Sequence, residues 1–565
     1  MSLIKSIQKY ELGKYFLLDY FLKYGYFDFK YASKDANENY MVSNLVYKKV
    51  MNTDGLAKEF REIKKKVSFK SREDTVPIEF SIYKNENERR NFKIPNLYSY
   101  ICLCIHLSEN KEEYINILSS SEKSLTNEFY SSSFLKRKII REENRIGKKH
   151  IFKTDIQNFY PTIYTHSIPW ILVGKSVAKS TKKNKNKYYN QLDSLIQRCQ
   201  RGETHGLPTG SFASRLIAEI YMCKFDEKMV DYSYVRYVDD FEFSYNDESE
   251  KNEFYKDLTK ELNSLNLKIK VEKNSLDTFP FQGDNDSTFF FSYFLKLPKE
   301  IKVQSRTIHS FIDSCIYKER EGFKGSLKLM FQALKSSIEK EEILQAALTK
   351  PLLKKLFNMV LMSPHLSVYY LEFVDVITQS IIDNRLKKGI EEIKTQILVN
   401  INRYIDLNYN QELYSILSIF KLLNIYSVCD KETLLLIIKK MDDLSSVLSF
   451  ELLMNEKNFD DHFFEMIEEK LKISTSWHEE YWFFKYHVLL RINENKKSKI
   501  HKDFKNFLYK KYDNGVEKSK FFNLKNIKKI ESPINVAWQN TNSDQDIAMF
   551  FKTLLDKKIS FIHGN

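Results

Sequence analysis

A chain of 565 residues is too long for one ordinary core, so we expect two or more domains that each bury a substantial interior. Hydrophobic residues make up 42% of the chain, while glycine (14) and proline (10) are scarce; this composition disfavours long disordered tracts and turn-rich all-β folds and predicts many helices. The formal net charge of +14 is compatible with a polyanionic partner but does not establish one.

The cysteines and the apolar segments indicate the compartment. Six cysteines are present without a C-x-x-C pair, which favours neither a zinc site nor a disulfide framework. The most apolar stretch, Leu97 to Leu107, has eleven residues, fewer than the roughly 18 that a membrane span needs. The N-terminus lacks a signal-peptide pattern. We therefore expect a cytoplasmic protein that does not enter a membrane.

Residues 1–298 are predicted to form an α+β domain, because short β-type runs are mixed with helical patterns. A basic stretch, 136–153, carries eight Lys and Arg against two Glu and directly precedes Asp155. Its members Arg137, Arg141 and Lys153 are therefore candidates to contact a triphosphate or a strand. A second run has six lysines between 175 and 187 without an acid; we expect a mobile loop there, and such runs are usually only solvated.

The candidate metal ligands are Asp155, Asp239 and Asp240. Asp155 ends a strand-like run, and "YVDD" (237–240) lies between two strand-like runs, which predicts a hairpin turn. Nucleotidyl transfer uses two divalent ions roughly 3.5–4 Å apart, held by carboxylates from different segments. All the ligands are oxygens, so Mg²⁺ is expected and Mn²⁺ could replace it. Each element alone is usually a surface turn or a helix cap, and it is their combination that indicates a site.

The segments around these aspartates suggest further contacts. "HGLPTGSFASRLIAEIYM" (205–222) predicts a turn that contains Thr209 and Gly210, followed by a helix from about Ser211. Tyr160, five residues after Asp155, could wall the sugar side of a nucleotide pocket. After "YVDD" come a helical pattern, then Lys273, and then "STFFFSYFL" (287–295), which predicts an aromatic strand, with plain core packing as the alternative.

Residues 299–565 are predicted to form an all-α domain. Helix-period segments follow one another from about Ile301, separated by short polar breaks, and strand signals nearly vanish. The succession favours an α-solenoid, but no clean repeat signature is present, so a plain helical bundle stays an equal alternative.

The order Asp155, "GLPTG", "YVDD", Lys273 and aromatic run resembles the successive palm motifs of reverse transcriptases. Five segments resemble more narrowly the AbiK-like abortive-infection reverse-transcriptase-related polymerases: "RRNFKIPNLYSY" (89–100), "YTHSIPW" (164–170), "ETHGLPTG" (203–210), "RYVDDF" (236–241) and "NQELYSIL" (410–417). Because the last segment lies outside the polymerase half, the resemblance spans most of the chain.

The resemblance implies a reverse-transcriptase-like palm and fingers followed by an all-α, HEAT-like helical-repeat domain. It also implies a template-independent DNA polymerase that acts in abortive-infection defence against phage, in the bacterial cytoplasm. Its substrates would be dNTPs, and its single-stranded DNA product would stay covalently attached to a tyrosine of the protein. A homo-oligomer, trimeric or hexameric, is implied as well.

The resemblance also implies roles for single residues. Asp155 and Asp239 correspond to metal ligands, with Asp240 more a supporting residue, and Tyr160 matches the position that excludes a ribose 2′-OH. Thr209 stands where ordinary reverse transcriptases carry Gln, at the point where template and nucleotide meet, which puts templated copying in doubt. Tyr40, in "KDANENYMV" (34–42), corresponds to the stretch that bears the priming tyrosine; the alternative is a tyrosine that anchors a loop to the core.

Three functions are compatible with these features. They are an untemplated, protein-primed DNA polymerase, a templated RNA-directed DNA polymerase, and a helical interaction protein with an inactive polymerase domain. The intact aspartates disfavour the third function. Thr209 and the absence of a recognisable thumb favour the first over the second.

Overall fold

The computed structural model describes the chain in segments. They are residues 9, 11–27, 33–34, 41–42, 49–85, 88–129, 134–281, 288–377, 381–456, 459–471, 476–494, 498–503, 506 and 545–563. Within these segments every strand lies in the first half, and the second half is helical. The protein therefore contains a domain of mixed α and β structure accompanied by many helices, as the sequence predicts.

The strands form three antiparallel sheets. β1 (Ser33–Lys34) pairs with β2 (Met41–Val42), and β3 (Ile78–Asn85) pairs with β4 (Glu88–Ile94) in a hairpin. The third sheet has the order β6-β7-β5-β8, and its strands are β5 (His150–Asp155), β6 (Tyr234–Tyr237), β7 (Asp240–Tyr245) and β8 (Ser275–Thr278). The central position of β5, between β7 and β8, holds its C-terminal end beside the β6–β7 turn.

Helices surround this sheet in the first half. The α-helices are α1 (Leu18–Tyr20), α2 (Asp54–Lys66), α3 (Leu97–Glu109), α4 (Lys111–Ser120), α5 (Phe134–Arg145), α6 (Phe159–Thr162), α7 (Ser167–Val173), α8 (Lys175–Ser180), α9 (Tyr188–Arg198), α10 (Phe212–Asp226) and α11 (Glu248–Ser264). A π-helical turn (Phe21–Gly25) and two 3₁₀ turns (Glu227–Met229 and Val271–Lys273) also lie in this half. Ser211 precedes α10, where the sequence predicts the start of a helix.

The second half is an array of helices. They are α12 (Thr288–Ser292), α13 (Ile301–Arg320), α14 (Ser326–Glu339), α15 (Lys350–Met362), α16 (Ser367–Ile377), α17 (Ile381–Glu391), α18 (Lys394–Asp406), α19 (Asn410–Leu423), α20 (Lys431–Lys440), α21 (Asp443–Glu456), α22 (Asp461–Leu471), α23 (Trp482–Glu494) and α24 (Gln545–Asp556). Two 3₁₀ turns, Gln345–Ala347 and Pro364–Leu366, lie among them. Several of these helices pack against the next but one along the chain, as α14 does on α16 and α19 on α21.

The end of the chain returns to its beginning. Helix α24 packs on α2, and Lys557 pairs with Glu59 at 2.6 Å. The backbone N–H of Asn52 donates to the Phe561 carbonyl at 2.9 Å. The described residues of the two halves therefore share one continuous hydrophobic core and do not form two separate cores.

The aromatic run at 287–295 is not a strand, contrary to the sequence prediction. Residues 288–292 form α12, and Phe290 and Phe294, four positions apart, are fully buried. The rings of Phe294 and Phe311 of α13 have centroids 4.8 Å apart. Contact of Phe290 and of the following Phe294 with Phe311 of α13 favours the helical conformation over the strand that the aromatic composition predicts.

The lysine run at 175–187 is only partly a loop. Its first six residues form α8, which packs on α7, and Ala178 is buried. The remaining residues up to 187 form turns. The beginning of a segment that the sequence predicts to be a mobile loop is therefore a short helix packed on α7.

The structure also bears on the cysteines and on membranes. All six cysteines lie in the described segments, where they are buried and outside any disulfide. Among the helices of these segments, none combines the length and the apolar character that crossing a bilayer requires.

Candidate active site

Three aspartates meet where β5 ends and the β6–β7 hairpin turns. Asp155 is the last residue of β5 and pairs in register with Asp240, the first residue of β7. Val238 and Asp239 form the turn between β6 and β7. The backbone N–H of Ile156 donates to the Asp239 carbonyl at 3.2 Å, so the end of β5 is tied to that turn. The structure thus brings the three aspartates together on the predicted strand end and hairpin.

Their carboxylates repel one another in a partly buried place. Burial, followed by the charges of Asp155 and Asp240, raises the pKa of Asp239 to about 7. Burial and the charge of Asp155 also raise the pKa of Asp240, against the opposing charges of Lys273 and Arg141. Because a nearby cation would remove the penalty of placing these anions together, the cluster is suited to bind one.

The donor set fits a divalent metal ion. All three side chains offer oxygens, which Mg²⁺ prefers, and the buried Oδ1 of Asp155 has no hydrogen-bond partner among the described residues. The other oxygen of Asp155, Oδ2, accepts a hydrogen bond from the Lys273 ammonium group. The described segments contain no group of three or more His, Cys, Asp or Glu side chains already arranged around a metal position. Asp155, Asp239 and Asp240 could therefore hold metal ions once their side chains adjust.

Lys273 is the cation nearest the aspartates. Burial acts to lower the pKa of Lys273, but the hydrogen bond to Asp155 and the charges of Asp155, Asp240 and Asp239 outweigh it and raise that pKa. The side chain is half exposed. Lys273 is therefore protonated at neutral pH and accessible at the edge of the cluster.

The buried carboxylate of Glu242 lies close to Arg141 and Lys153, two of the basic residues that the sequence singles out. Glu242 of β7 receives hydrogen bonds from Arg145 at 2.7 and 2.9 Å, and it lies 3.5 Å from Arg141 and 4.0 Å from Lys153. In register, Lys153 faces Glu242 as Asp155 faces Asp240, so all four side chains are on one face of the sheet. Sequence reasoning missed Glu242 and Arg145; the position of Glu242 two residues after Asp240 is the signal that could have found it.

Arg137 lies beside Tyr237, which is opposite Asp240 in register and so on the same face of the sheet. Its guanidinium group is 5.9 Å from the centroid of the Tyr237 ring, and Tyr237 is exposed. The three predicted basic residues therefore flank the aspartates on α5 and β5, while Arg145 is engaged with Glu242.

A second buried network, also missed by sequence reasoning, fixes the "YVDD" turn. Arg236 is fully buried and contacts Glu219 at 3.0 Å and Asp226 at 2.8 Å, both on α10. It also donates to the carbonyl of Val238 at 2.7 Å. Val238 has φ +58°, a left-handed conformation that is unfavourable for a β-branched residue. An arginine immediately before "YVDD", with two acids on the preceding helix, is the only sequence signal of this network.

The Thr209 turn (residues 206–210) adjoins Tyr160. The backbone N–H of Leu207 donates to the Tyr160 carbonyl at 3.0 Å, which ties the turn to α6. The Thr209 carbonyl accepts from the Lys93 N–H at 3.0 Å, and the Thr209 hydroxyl donates to the Asn91 carbonyl at 3.4 Å. Gly210 has φ +115°, which favours glycine. Tyr160, Thr209 and Gly210 are therefore adjacent, whereas Tyr40, the candidate priming residue, lies outside the described residues.

Comparisons with known proteins identify the domain that contains this site. The family model "Reverse transcriptase (RNA-dependent DNA polymerase)" matches residues 106–334, which include the aspartates and Lys273 and extend beyond residue 298. No curated protein matches the sequence.

Two solved structures that resemble the chain are telomerases. Apo telomerase from Candida tropicalis is 13% identical, with a TM-score of 0.33, over 66% of this chain and 74% of that one. Telomerase from Candida albicans in complex with the TWJ fragment of telomeric RNA is 12% identical, with a TM-score of 0.26, over 66% of each chain. Similarities this low support no conclusion about function. The family match does: the chain carries a reverse transcriptase domain and is a nucleotidyltransferase of the reverse-transcriptase type.

Proposed function

We propose that this protein is a template-independent, protein-primed DNA polymerase that joins dNTPs to one of its own tyrosines and acts in abortive-infection defence against phage. The polymerase part of this proposal rests on one observation. Asp155, Asp239 and Asp240 lie together at the end of β5 and the β6–β7 turn. The untemplated and protein-primed part rests on the resemblance to AbiK-like polymerases and on Thr209.

The contacts of Thr209 disfavour a role in template reading. Both its carbonyl and its hydroxyl are hydrogen-bonded to β4. A threonine side chain is also shorter than the glutamine found there in ordinary reverse transcriptases. A side chain that is short and already bonded to a neighbouring strand is poorly suited to support a template base.

The proposed reaction transfers a nucleotide to a hydroxyl oxygen. That oxygen, from Tyr40 at the start and from a 3′ end later, bonds to the α-phosphorus of a dNTP, while the bond to the β-phosphate oxygen breaks and pyrophosphate leaves. Asp155 and Asp239, with support from Asp240, would hold Mg²⁺, or Mn²⁺ in its place. When bound, these ions neutralise phosphate charge and lower the pKa of the attacking hydroxyl, which for a free phenol is about 10.

The basic residues around the aspartates have a natural role toward the triphosphate. Lys273 keeps its charge beside Asp155, and Arg137, Arg141 and Lys153 surround the same face of the sheet. We assign these four residues to the triphosphate and the growing strand, because phosphate binding relies on such cations. Tyr160 would exclude NTPs by contact with the ribose 2′-OH, and the close approach of Gly210 to β4 would shape the same pocket.

Three further properties belong to this proposal. The helical half would be a HEAT-like array, which the packing of helices against the next but one along the chain supports. The protein would act in the bacterial cytoplasm as a homo-oligomer, a trimer or hexamer. Its single-stranded DNA product would stay attached to it covalently.

Templated synthesis is the second candidate. The matched family is described as RNA-dependent DNA polymerase, and this favours copying of an RNA strand. The two candidates differ in what the purified protein needs before it incorporates dNTPs.

Substitution of the candidate primer tests the protein-primed part. Tyr40→Phe removes the attacking oxygen and keeps the ring, so it should abolish the transfer of labelled dNTPs to protein while sparing extension of an added DNA primer. The control is Tyr317→Phe, an exposed tyrosine of α13, which should label normally. Undiminished labelling of Tyr40→Phe would assign the primer to another residue.

A further inference from the structure

The "NQEL" segment at the start of α19 contacts the β3–β4 hairpin, and the proposed reaction gives it no role. The backbone N–H of Ser81 donates to Asn410 Oδ1 at 2.9 Å, and the N–H of Tyr83 donates to Gln411 Oε1 at 2.7 Å. Both N–H groups lie on the outer edge of β3, which no other strand in the described segments pairs with. Two side-chain amides thus replace the carbonyls of a missing neighbouring strand.

A buried ion pair joins the same helix to β4. Both terminal nitrogens of Arg89 donate to the Glu412 carboxylate at 2.6 Å, and Glu412 is 3% exposed. The Arg89 guanidinium group also lies 4.0 Å from the centroid of the Tyr409 ring. The two hydrogen bonds to Glu412 and the stacking on Tyr409 fix both the distance and the orientation of the Arg89 guanidinium group. The hairpin therefore has one defined position on α19.

The opposite edge of the hairpin carries the Thr209 turn. Lys93 and Asn91 of β4 make the two hydrogen bonds to Thr209 described above. A Cβ added at Gly210 would lie 3.1 Å from Cγ1 of Ile94, so the turn and β4 are in close contact. The hairpin is therefore bound on both edges, by α19 on one and by the Thr209 turn on the other.

We infer that Asn410, Gln411 and Glu412 are positioning residues for the nucleotide site: they hold the β3–β4 hairpin against the Thr209 turn, so the helical half sets the affinity for dNTPs. The inference rests on the proposed function, because the nucleotide is taken to bind between the Thr209 turn and the aspartates. An isolated two-stranded hairpin is at best marginally stable in water, so its position depends on what holds its edges.

The effect should fall on nucleotide affinity rather than on chemistry. The aspartates belong to a different sheet, and the Arg236 network fixes the β6–β7 turn of that sheet. A loosened hairpin should therefore raise the KM for dNTPs by about two- to tenfold, the range that one hydrogen bond corresponds to. The kcat should stay within about twofold of the wild-type value.

Gln411 offers the sharpest test. Gln411→Ala removes the acceptor for the Tyr83 N–H, whereas Gln411→Glu keeps an acceptor oxygen and should restore wild-type behaviour. Glu412→Gln removes the charge opposite Arg89. The matched control is Glu469→Gln, whose partner Lys439 lies at 3.1 Å with both side chains 52% exposed; this variant should behave as wild type.

The experiment measures hydrogen exchange of the β3 amides, equilibrium binding of each of the four dNTPs, and steady-state incorporation. We expect faster exchange in residues 78–85, weaker dNTP binding and a raised KM in Gln411→Ala and Glu412→Gln only. Faster exchange with unchanged binding, or unchanged exchange, would overturn the inference. A different result would separate the two claims. If the wild-type protein binds dNTPs and the two variants bind them more weakly, but no protein incorporates them, the proposed function is wrong and the inference stands.

Discussion

Arg236 shows how a single residue can hold the turn that bears two of the candidate metal ligands. Its charge is fully buried between Glu219 and Asp226, and one of its N–H groups supports the strained Val238. Buried ion pairs add little net stability in themselves, but removal of one partner leaves an uncompensated charge in the interior. We regard the network as a device that fixes the geometry of "YVDD".

Arg236→Met should therefore destabilise the protein. The variant leaves two buried carboxylates without a cation, which costs about 3–5 kcal/mol in the free energy of unfolding. Urea unfolding monitored by circular dichroism would measure the loss. The exposed Lys439→Met should lose at most about 1 kcal/mol. Equal stabilities of Arg236→Met and the wild type would show that the network does not hold the turn.

Tyr160 is predicted to act through its ring alone. Tyr160→Ala should admit NTPs beside dNTPs, because removal of the ring leaves space for a ribose 2′-OH. Incorporation of labelled NTPs and dNTPs by the same preparation gives the preference directly. An unchanged preference for dNTPs would reject Tyr160 as the residue that excludes ribose.

At the scale of elements, the Thr209 turn depends on a glycine. Gly210→Ala would place a side chain at φ +115° and a Cβ 3.1 Å from Cγ1 of Ile94, so the backbone would be strained and the Ile94 side chain would have to give way. We expect a loss of about 1–3 kcal/mol in stability and a raised KM for dNTPs. Gly13→Ala, where an added Cβ meets no atom within 4 Å, is the control. Wild-type kinetics in Gly210→Ala would show that this contact is not needed.

A buried lysine cluster makes the stability of the helical half depend on pH. Burial lowers the pKa of Lys485 to about 7 and that of Lys470 to about 8, from 10.5. Between these values and 10.5 the unfolded chain binds more protons than the folded one, so the free energy of unfolding rises with pH.

Lys485→Met should reduce the increase of the free energy of unfolding with pH. Each lysine contributes at most about 1.4 kcal/mol per pH unit, and the variant removes the contribution of Lys485 above pH 7. Urea titrations at neutral and alkaline pH would compare the variant with wild type and with Lys439→Met. A pH slope in Lys485→Met equal to that of wild type would contradict the assignment.

Local patterns made part of this fold predictable. The strand that ends at Asp155, the "YVDD" hairpin and the helix after Ser211 follow from alternation, turn residues and helical period within about ten residues. The aromatic run was assigned wrongly because its conformation depends on contact with α13, which composition does not reveal. Glu242 and the Arg236 network leave only weak local signals next to "YVDD", and the contacts of α19 join residues more than 300 positions apart, which no local pattern predicts.

At the scale of the whole molecule, the two halves are joined at several separate places. Helix α19 holds the β3–β4 hairpin, α24 packs on α2, and the Asn96 side chain donates to the Trp477 carbonyl at 2.9 Å. The first half of the chain therefore shares its core with the helical half and has one edge of its β3–β4 hairpin bound by it.

A fragment of residues 1–298 should accordingly fail to fold independently. Its exposed α2 and β3 surfaces would be apolar and unpaired, which favours aggregation. Solubility, circular dichroism and hydrogen exchange of the fragment would show its state. A soluble fragment with full polymerase activity would contradict the close dependence of the two halves.

The most direct measurement is incubation of the purified protein with labelled dNTPs and Mg²⁺, without template or primer, beside Asp239→Asn and the exposed Asp247→Asn. Products are resolved on a denaturing gel before and after protease and nuclease. We predict a labelled protein smear that nuclease shortens and protease releases, unchanged in Asp247→Asn and reduced about 100-fold or more in Asp239→Asn, because a catalytic metal supplies several kcal/mol to the reaction. Full activity of Asp239→Asn, or incorporation only with an added primer and template, would contradict the account.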